Sequence, residues 1–444
     1  MRAAAWGAWA AGALLLAGCP RHSHVSPRGD GGPSVVVVDR APAGHKGDDA
    51  TVYVDEVEPN DVAAPQRIDP AKGIRGKLTA AGDAGAPDAD VFQFEVARPG
   101  LGAPMPTRSA RVELVGPPGL LHLWAGTSGS KGVTADPVAD GARERLVIPN
   151  LCVVRGEQPA GDEGGASKVT IKVLRRRGTV AEAPYQLRVS LVPNDAREEE
   201  PNDDRAAANQ AEAPSGLSGY YGRGHDEDWF RLGVRGGDAG VVEGGSVRLE
   251  LTAVEGVAPG LRIADAAGKT IAEAQGGVGD ELRLRNAPMG AWLVVRADKG
   301  FNVDEGWTLA VALEPPVAGA EREPNNTVAT ANPLDGASGS IAGFLWPGDA
   351  DVYRFHADAP GFLRVEVTPP ERVDARLDRL TAAGGSTLRA DEGKAGKSER
   401  FEALPVSGDV LVRVTGRGRE SAFDAPYTLA WTFTPGSGDA GATR

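Results

Sequence analysis

From residue 51 onward the chain alternates apolar and polar positions in short runs. Arg111-Val112-Glu113-Leu114-Val115, Ser246-Val247-Arg248-Leu249-Glu250-Leu251 and Leu363-Arg364-Val365-Glu366-Val367 each set their apolar side chains two apart. Period-two alternation interrupted by turn residues every 8–12 positions predicts antiparallel strands with one buried and one wet face. Composition agrees: 60 glycines and 33 prolines among 444 residues, with 5% aromatics, suit many short strands and turns rather than helices. The expected fold class is all-β.

The alternating runs belong to a unit that occurs three times. Each unit opens on an acidic turn: Glu56-Val57-Glu58-Pro59-Asn60-Asp61, Glu198-Glu199-Glu200-Pro201-Asn202-Asp203 and Glu321-Arg322-Glu323-Pro324-Asn325-Asn326. A polar, Ala-rich stretch and a Gly-containing segment follow. Each unit then reaches an Asp-x-Asp strand: Asp88-Ala89-Asp90-Val91-Phe92-Gln93-Phe94, Asp226-Glu227-Asp228-Trp229-Phe230-Arg231-Leu232 and Asp349-Ala350-Asp351-Val352-Tyr353-Arg354-Phe355. Phe92/Phe94, Phe230/Leu232 and Tyr353/Phe355 share a face, and Gln93, Arg231 and Arg354 point the other way. The units close on Tyr185–Val192, Trp307–Leu313 and Tyr427–Phe433. The same strings in the same order, three times, make an internal repeat. The boundaries read as 51–195, 196–317 and 318–436, each long enough for its own core. The first carries Gly/Pro-rich insertions near Pro99–Thr107 and Gly156–Ser167.

The ends read differently. Met1-Arg2 precedes an apolar run from Ala3 to Gly18, the layout of a secretory signal, and short for a membrane-spanning helix of about 20 residues. The run ends Leu16-Ala17-Gly18-Cys19, which resembles the lipobox of bacterial lipoproteins. That resemblance implies cleavage after residue 18 and attachment of diacylglycerol and a third acyl chain at Cys19. Several chains together anchor stably where one would be marginal. Pro20 in place of Asp makes the outer membrane the default destination. Residues 20–50, rich in Gly, Pro, Ser and charge, read as a disordered linker, and 437–444 as a disordered tail. His22 and His24 sit in that linker, where two ligands on a floppy segment rarely hold an ion.

Removing residues 1–18 takes away one arginine and moves the formal charge from -13 to -14. Such an acidic chain is a poor partner for nucleic acid or anionic lipid. There are two cysteines, and with Cys19 lipidated Cys152 has no partner for a disulfide. Its setting, Leu151-Cys152-Val153-Val154, reads as a buried strand.

The triple pattern resembles the bacterial pre-peptidase C-terminal domain and the related collagen-binding domains of clostridial collagenases, over nearly all of 51–436. The resemblance implies a jelly-roll-like antiparallel β-sandwich in each repeat. It also implies calcium held by the acidic turn and the Asp-x-Asp. The implied ligands are Glu56, Glu58, Asn60, Asp61, Asp88 and Asp90 in the first repeat. In the second they are Glu198, Glu200, Asn202, Asp203, Asp226 and Asp228, and in the third Glu321, Glu323, Asn325, Asn326, Asp349 and Asp351. The residues suit the role: calcium takes six to eight oxygens at about 2.3–2.6 Å, and no His or Cys lies in the motif to favour zinc or copper. Asn326 costs the third repeat a carboxylate. Pro87, His225 and Gly348 stand where the collagenase relatives carry a further acid, so a two-ion site would lack that ligand. The same residue types also suit Asx turns and caps without any metal.

No His-Glu-x-x-His, Gly-x-Ser-x-Gly or Walker loop is present, and a pattern repeated three times fits binding or structure better than catalysis. The expectation is a non-catalytic envelope lipoprotein presenting three binding modules to a polysaccharide or extracellular protein. The alternatives are a structural spacer or accessory subunit and, more remotely, a hydrolase. A binder calls for clustered exposed aromatics, with Trp229, Tyr220, Tyr221 and Trp346 the candidates.

Overall fold

The computed structural model describes residues 51–436 apart from 80–87, 98–106, 128–129, 154–165, 177–180, 194–197, 235–245, 347 and 418–424. The signal segment, Cys19, the linker and the tail therefore lie outside the described residues. So does most of the two insertions in the first repeat.

The chain is all-β. Among the described residues the helical content is a single 3-10 turn, Val328–Thr330, and no helix is long and apolar enough to cross a membrane. The strands expected from alternation form at Thr107–Gly116, Ser246–Leu251 and within Asp351–Thr368. The Asp-x-Asp motifs open the strands Ala89–Ala97, Glu227–Val234 and Asp351–Thr368. On these, Phe92, Phe94, Phe230, Leu232, Tyr353 and Phe355 are buried while Arg231 and Arg354 are exposed. Burial on alternate positions is what one packed face requires.

The three repeats share one pairing scheme. Each closing strand (Ala183–Pro193, Asn302–Glu314, Tyr427–Pro435) lies between the Gly-containing segment and the alternating strand of its repeat. Each Asp-x-Asp strand pairs on one side with a late strand of its repeat: Ala166–Arg175, Trp292–Lys299 or the end of Glu399–Gly416. On its other side it takes a short strand that follows the acidic turn: Gln66–Arg67, Asn209–Ala213 or Asn332–Leu334. These last pairs are parallel, as is Tyr53–Asp55 with Gly73–Leu78, so the expectation of purely antiparallel pairing needs correction. Between the two strands of each parallel pair the chain crosses to the other sheet path and back, and such a crossover returns it running in the same direction. The third repeat runs as two 18-residue strands, Asp351–Thr368 and Glu399–Gly416, what the others divide in two. Register shifts at Ala357/Gly361 and Leu363/Val365 mark its bends.

Three hydrophobic clusters follow the repeats. One runs from Ile74 to Val189, a second from Ala211 to Val311 and a third from Leu334 to Trp431. Each takes side chains from both sheet paths of its repeat. Trp346 is the exception to the boundaries: it is numbered in the third repeat but is buried in the second core. Cys152 is buried at the end of the strand Arg143–Cys152, as expected of a small apolar residue there.

Candidate metal centres

In each repeat the acidic turn and the first residues of the Asp-x-Asp strand meet beneath the Gly-containing segment. Carboxylate oxygens of Glu56, Glu58 and Asp90 lie within 4.8 Å of one another, as do those of Glu198, Glu200 and Asp228, and those of Glu321, Glu323 and Asp351. The middle repeat adds a second such group, Glu200, Asp203 and Asp226. Two full charges 4.8 Å apart repel by roughly 3 kcal/mol at an effective dielectric of about 20. The backbone forces the encounter. Alternate residues of the extended Glu-x-Glu present both carboxylates on one side, and the Glu-Pro peptide that follows is cis in all three turns. The backbone N–H of Asn60, Asn202 and Asn325 then donates back to the second glutamate at 3.0–3.1 Å.

One glycine per repeat makes the room. A Cβ at Gly76 would meet the Glu56 carboxylate and the Tyr185 ring, and one at Gly219 would meet Glu198 and Trp307. At Gly343 the clash would be with Glu321 and Tyr427. No sequence signal separates these glycines from the other 57. What identifies them is the closing-strand aromatic that lies across the sheet.

The three clusters satisfy their oxygens differently. In the first, the Tyr185 hydroxyl donates to Asp90 Oδ2 at 2.5 Å and lies 2.8 Å from Glu56 Oε2. The Lys77 N–H reaches Glu56 Oε1 at 2.6 Å. In the third, the Tyr427 hydroxyl bonds Asp351 at 2.6 Å and Glu321 at 3.2 Å, and Tyr353 adds a contact to Glu321 at 3.0 Å. Asp351 Oδ1, Glu323 Oε1, Asp349 Oδ2 and Asn325 Oδ1 are nevertheless buried without a protein partner. In the second, the position of Tyr185 and Tyr427 is Trp307, whose indole N–H is itself buried and unpartnered. There Glu198 Oε1, Asn202 Oδ1 and both oxygens of Asp228 have no partner, and Asp228 is 0% exposed.

Not every expected ligand joins. Asp61 is exposed and accepts from the N–H of Ala63 and Ala64 at 2.8 and 2.9 Å, an Asx turn. Asp88 is turned away to Thr79, accepting from its hydroxyl at 2.9 Å and from its N–H. Asp203 pairs with Arg223, which also lies 3.4 Å from Asp226. Asn326 donates to Asp349 at 3.2 Å. Asn60 is buried in its cluster. Turned one way its amide donates to Glu58 and Asp90 at 3.1 and 3.0 Å; turned the other way its oxygen faces those same carboxylates, the orientation a cation would favour. The expected set therefore divides into an inner group at each turn, joined in the middle repeat by Asp203, and a peripheral group of Asp61, Asp88, Asn326 and, by its bonds to Asn326 and Ala350, Asp349.

Burial dominates the ionisation of the inner groups. Loss of solvation, reinforced by Glu56 and Asp88, pushes Asp90 up to about 8. Asp226 is pushed up to about 7 by burial, with Arg223 opposing. Burial and Asp349 push Glu323 up to about 10. Glu198, Glu200 and Asp228 are driven well above the usual carboxylate range by burial and by one another. A buried carboxylate must be protonated, hydrogen-bonded or beside a cation. The donor set is all oxygen, mixes carboxylate and amide, and leaves oxygens unpartnered, which fits calcium by the chemistry of its ligands.

Of the aromatics, Tyr221 and Trp346 are core residues and Trp229 is buried against Trp292, with Arg262 stacked on it at 4.9 Å. Tyr220 is half-buried.

No protein-family model matches the sequence, and no curated protein matches it. Among solved structures, the tandem CBM22 domain of Paenibacillus barcinonensis Xyn10C is 11% identical over 51% of this chain and 99% of its own, with a TM-score of 0.15. Tripeptidyl peptidase 2 is 9% identical over 78% of this chain and 32% of its own, with a TM-score of 0.16. Dimeric latent PorU from Porphyromonas gingivalis is 10% identical over 76% and 31%, with a TM-score of 0.13. The chain thus spans about a third of the latter two, and superpositions this poor carry no functional argument.

Proposed function

We propose that this chain is a non-catalytic lipoprotein of the cell envelope, anchored through Cys19, that presents three jelly-roll-like β-sandwich modules of the pre-peptidase C-terminal type. Each module is ordered by calcium in its acidic cluster. One observation carries the reading: a close carboxylate group built from the same turn, strand and glycine in all three repeats, fully buried in the second and third. Calcium there supplies the positive charge that the buried oxygens otherwise lack, and the protein's part is to hold Glu, Asp and Asn oxygens together and dry. Glu198, Glu200, Asn202, Asp226 and Asp228 would hold it in the middle repeat, and Glu321, Glu323, Asn325 and Asp351 in the third. In the first they would be Glu56, Glu58, Asn60 and Asp90.

Presentation as a spacer is the reading that the burial of Tyr221, Trp229 and Trp346 supports. Ligand binding, to a polysaccharide or an extracellular protein, is the second reading. The pairing of Trp229 with half-buried Trp292, beside Arg262, favours it. Full-length protein dialysed against calcium and assayed for bound ions should retain at least one per chain. None retained would overturn the metal reading. Glycan and matrix-protein arrays probed with the same protein separate the two roles.

A further inference from the structure

The middle cluster is built at the seam with the first repeat, and both of its acidic segments touch that repeat. The acidic turn does so through its backbone. Glu200 N–H donates to the Asn150 carbonyl and Cys152 N–H to the Glu200 carbonyl, both at 2.8 Å, so Glu200 extends the strand Arg143–Cys152 as a parallel bridge at Leu151. The Asp-x-Asp segment does so through the loop that precedes it. Gly224 N–H donates to Asp136 of the first repeat at 2.8 Å, and Gly222 N–H donates to Asp226 at 2.6 Å. A third contact stands apart from the cluster: Arg111 and Arg145 of the first repeat both bind Asp304 of the second, at 2.9 and 3.0 Å. Asn150 itself is 1% exposed, and neither end of its side-chain amide has a partner.

The second and third repeats meet in a similar way. Asn286 of the second donates to the Glu321 carboxylate at 3.4 Å, and Phe344, whose N–H bonds that same carboxylate at 2.6 Å, packs on the second core with Trp346.

We propose that a divalent cation in the middle cluster fastens the first repeat to the second. Glu198 and Glu200 sit on one arm that grips the first repeat, and Asp226 and Asp228 on the other. Without a cation nothing links the carboxylates of the two arms, and opening of the arms loosens both grips. With it the arms close on a shared charge, and the Glu200 bridge and the Asp136 contact form together. Asp228, fully buried with both oxygens unpartnered, is the residue that points to a bound ion here rather than to a solvated acidic surface. The inference rests on the metal reading above and adds to it a role: calcium sets the angle between neighbouring repeats, so the standoff of the array depends on the ion.

The test uses the full-length chain in detergent with nitroxides at Ala71→Cys and Ala267→Cys, both exposed and in different repeats. The inter-label distance distribution is measured by pulsed electron resonance in calcium and in chelator, with bound calcium counted on the same samples. Calcium should narrow the distribution at least twofold. Asp228→Asn should lose that narrowing. Asp136→Ala with Asp304→Ala, which leaves the ligands intact, should keep calcium bound yet stay broad. Calcium bound with identical distributions in calcium and chelator would overturn the seam and leave the metal reading standing. No calcium bound would overturn the metal reading and the seam with it.

Discussion

The first and second repeats open on nearly the same string, yet their clusters reach opposite solutions. In the first, Glu56 is half-buried, Glu58 exposed and Tyr185 lends a hydroxyl. In the second, Glu198 and Glu200 are buried, Glu200 bonded to the preceding repeat, and Trp307 lends nothing. One aromatic on a distant strand and one packing neighbour change how many oxygens of the same acids find a protein donor. A motif specifies where the carboxylates go; the neighbours specify what neutralises them.

The largest effect that can break this comparison is steric. Gly219→Ala drives a methyl group onto Glu198 and Trp307 and should cost about 3 kcal/mol, read as a lowered unfolding midpoint with the middle repeat's share of bound calcium lost. Gly416→Ala, with open space around it, is the matched control and should leave both unchanged.

Tyr185→Phe sharpens the comparison by making the first cluster resemble the second. It strips a donor from Glu56 and Asp90 and should cost about 1–3 kcal/mol in chelator. Calcium should recover part of that loss, giving the variant a larger calcium-induced rise in unfolding midpoint than the parent. An equal rise in both would contradict the role assigned to the hydroxyl.

Acidity provides a third handle. With Asp90 pushed up to about 8 and Asp226 to about 7, the folded chain in chelator holds protons that the unfolded chain has already released. The unfolded state then binds fewer protons from roughly pH 4 to about 8, so stability falls as pH rises through that window. Unfolding midpoints in chelator should therefore be higher at pH 5 than at pH 8, and millimolar calcium should flatten the difference by favouring the ionised form. The smallest effect belongs to Asp61→Ala. It removes an Asx turn worth roughly 0.5–1 kcal/mol and should leave the number of bound ions unchanged.

How much of this was legible beforehand follows from the physics involved. Strand alternation and the inward face of Phe92 and Phe94 are local, fixed by a two-residue period, and were readable. The inner carboxylate groups were readable because Glu-x-Glu and Asp-x-Asp each place carboxylates together within one segment. Asp61 and Asp88 stand apart from the inner groups because their partners, Ala63 and Thr79, compete for the same oxygens through contacts that residue types alone do not rank. The tyrosine hydroxyls, the cradle glycines and the parallel edge strands depend on which strands become neighbours. The positions Tyr185, Trp307 and Tyr427 stood out as strand leaders, but nothing in the string says that their side chains reach the acids. The grip of Glu200 on Asn150 and Cys152 lies further still from local pattern, since it joins two repeats.

The central claim is that buried acids of the middle and third repeats require a cation. Thermal unfolding of the full-length chain in chelator and across a calcium titration tests it most directly. A ligand that binds only the folded state must raise stability, by about 2.7 kcal/mol at a hundredfold excess over its dissociation constant. The account predicts an unfolding midpoint that climbs steadily with calcium and falls back on chelation; a midpoint unmoved through millimolar calcium would contradict it.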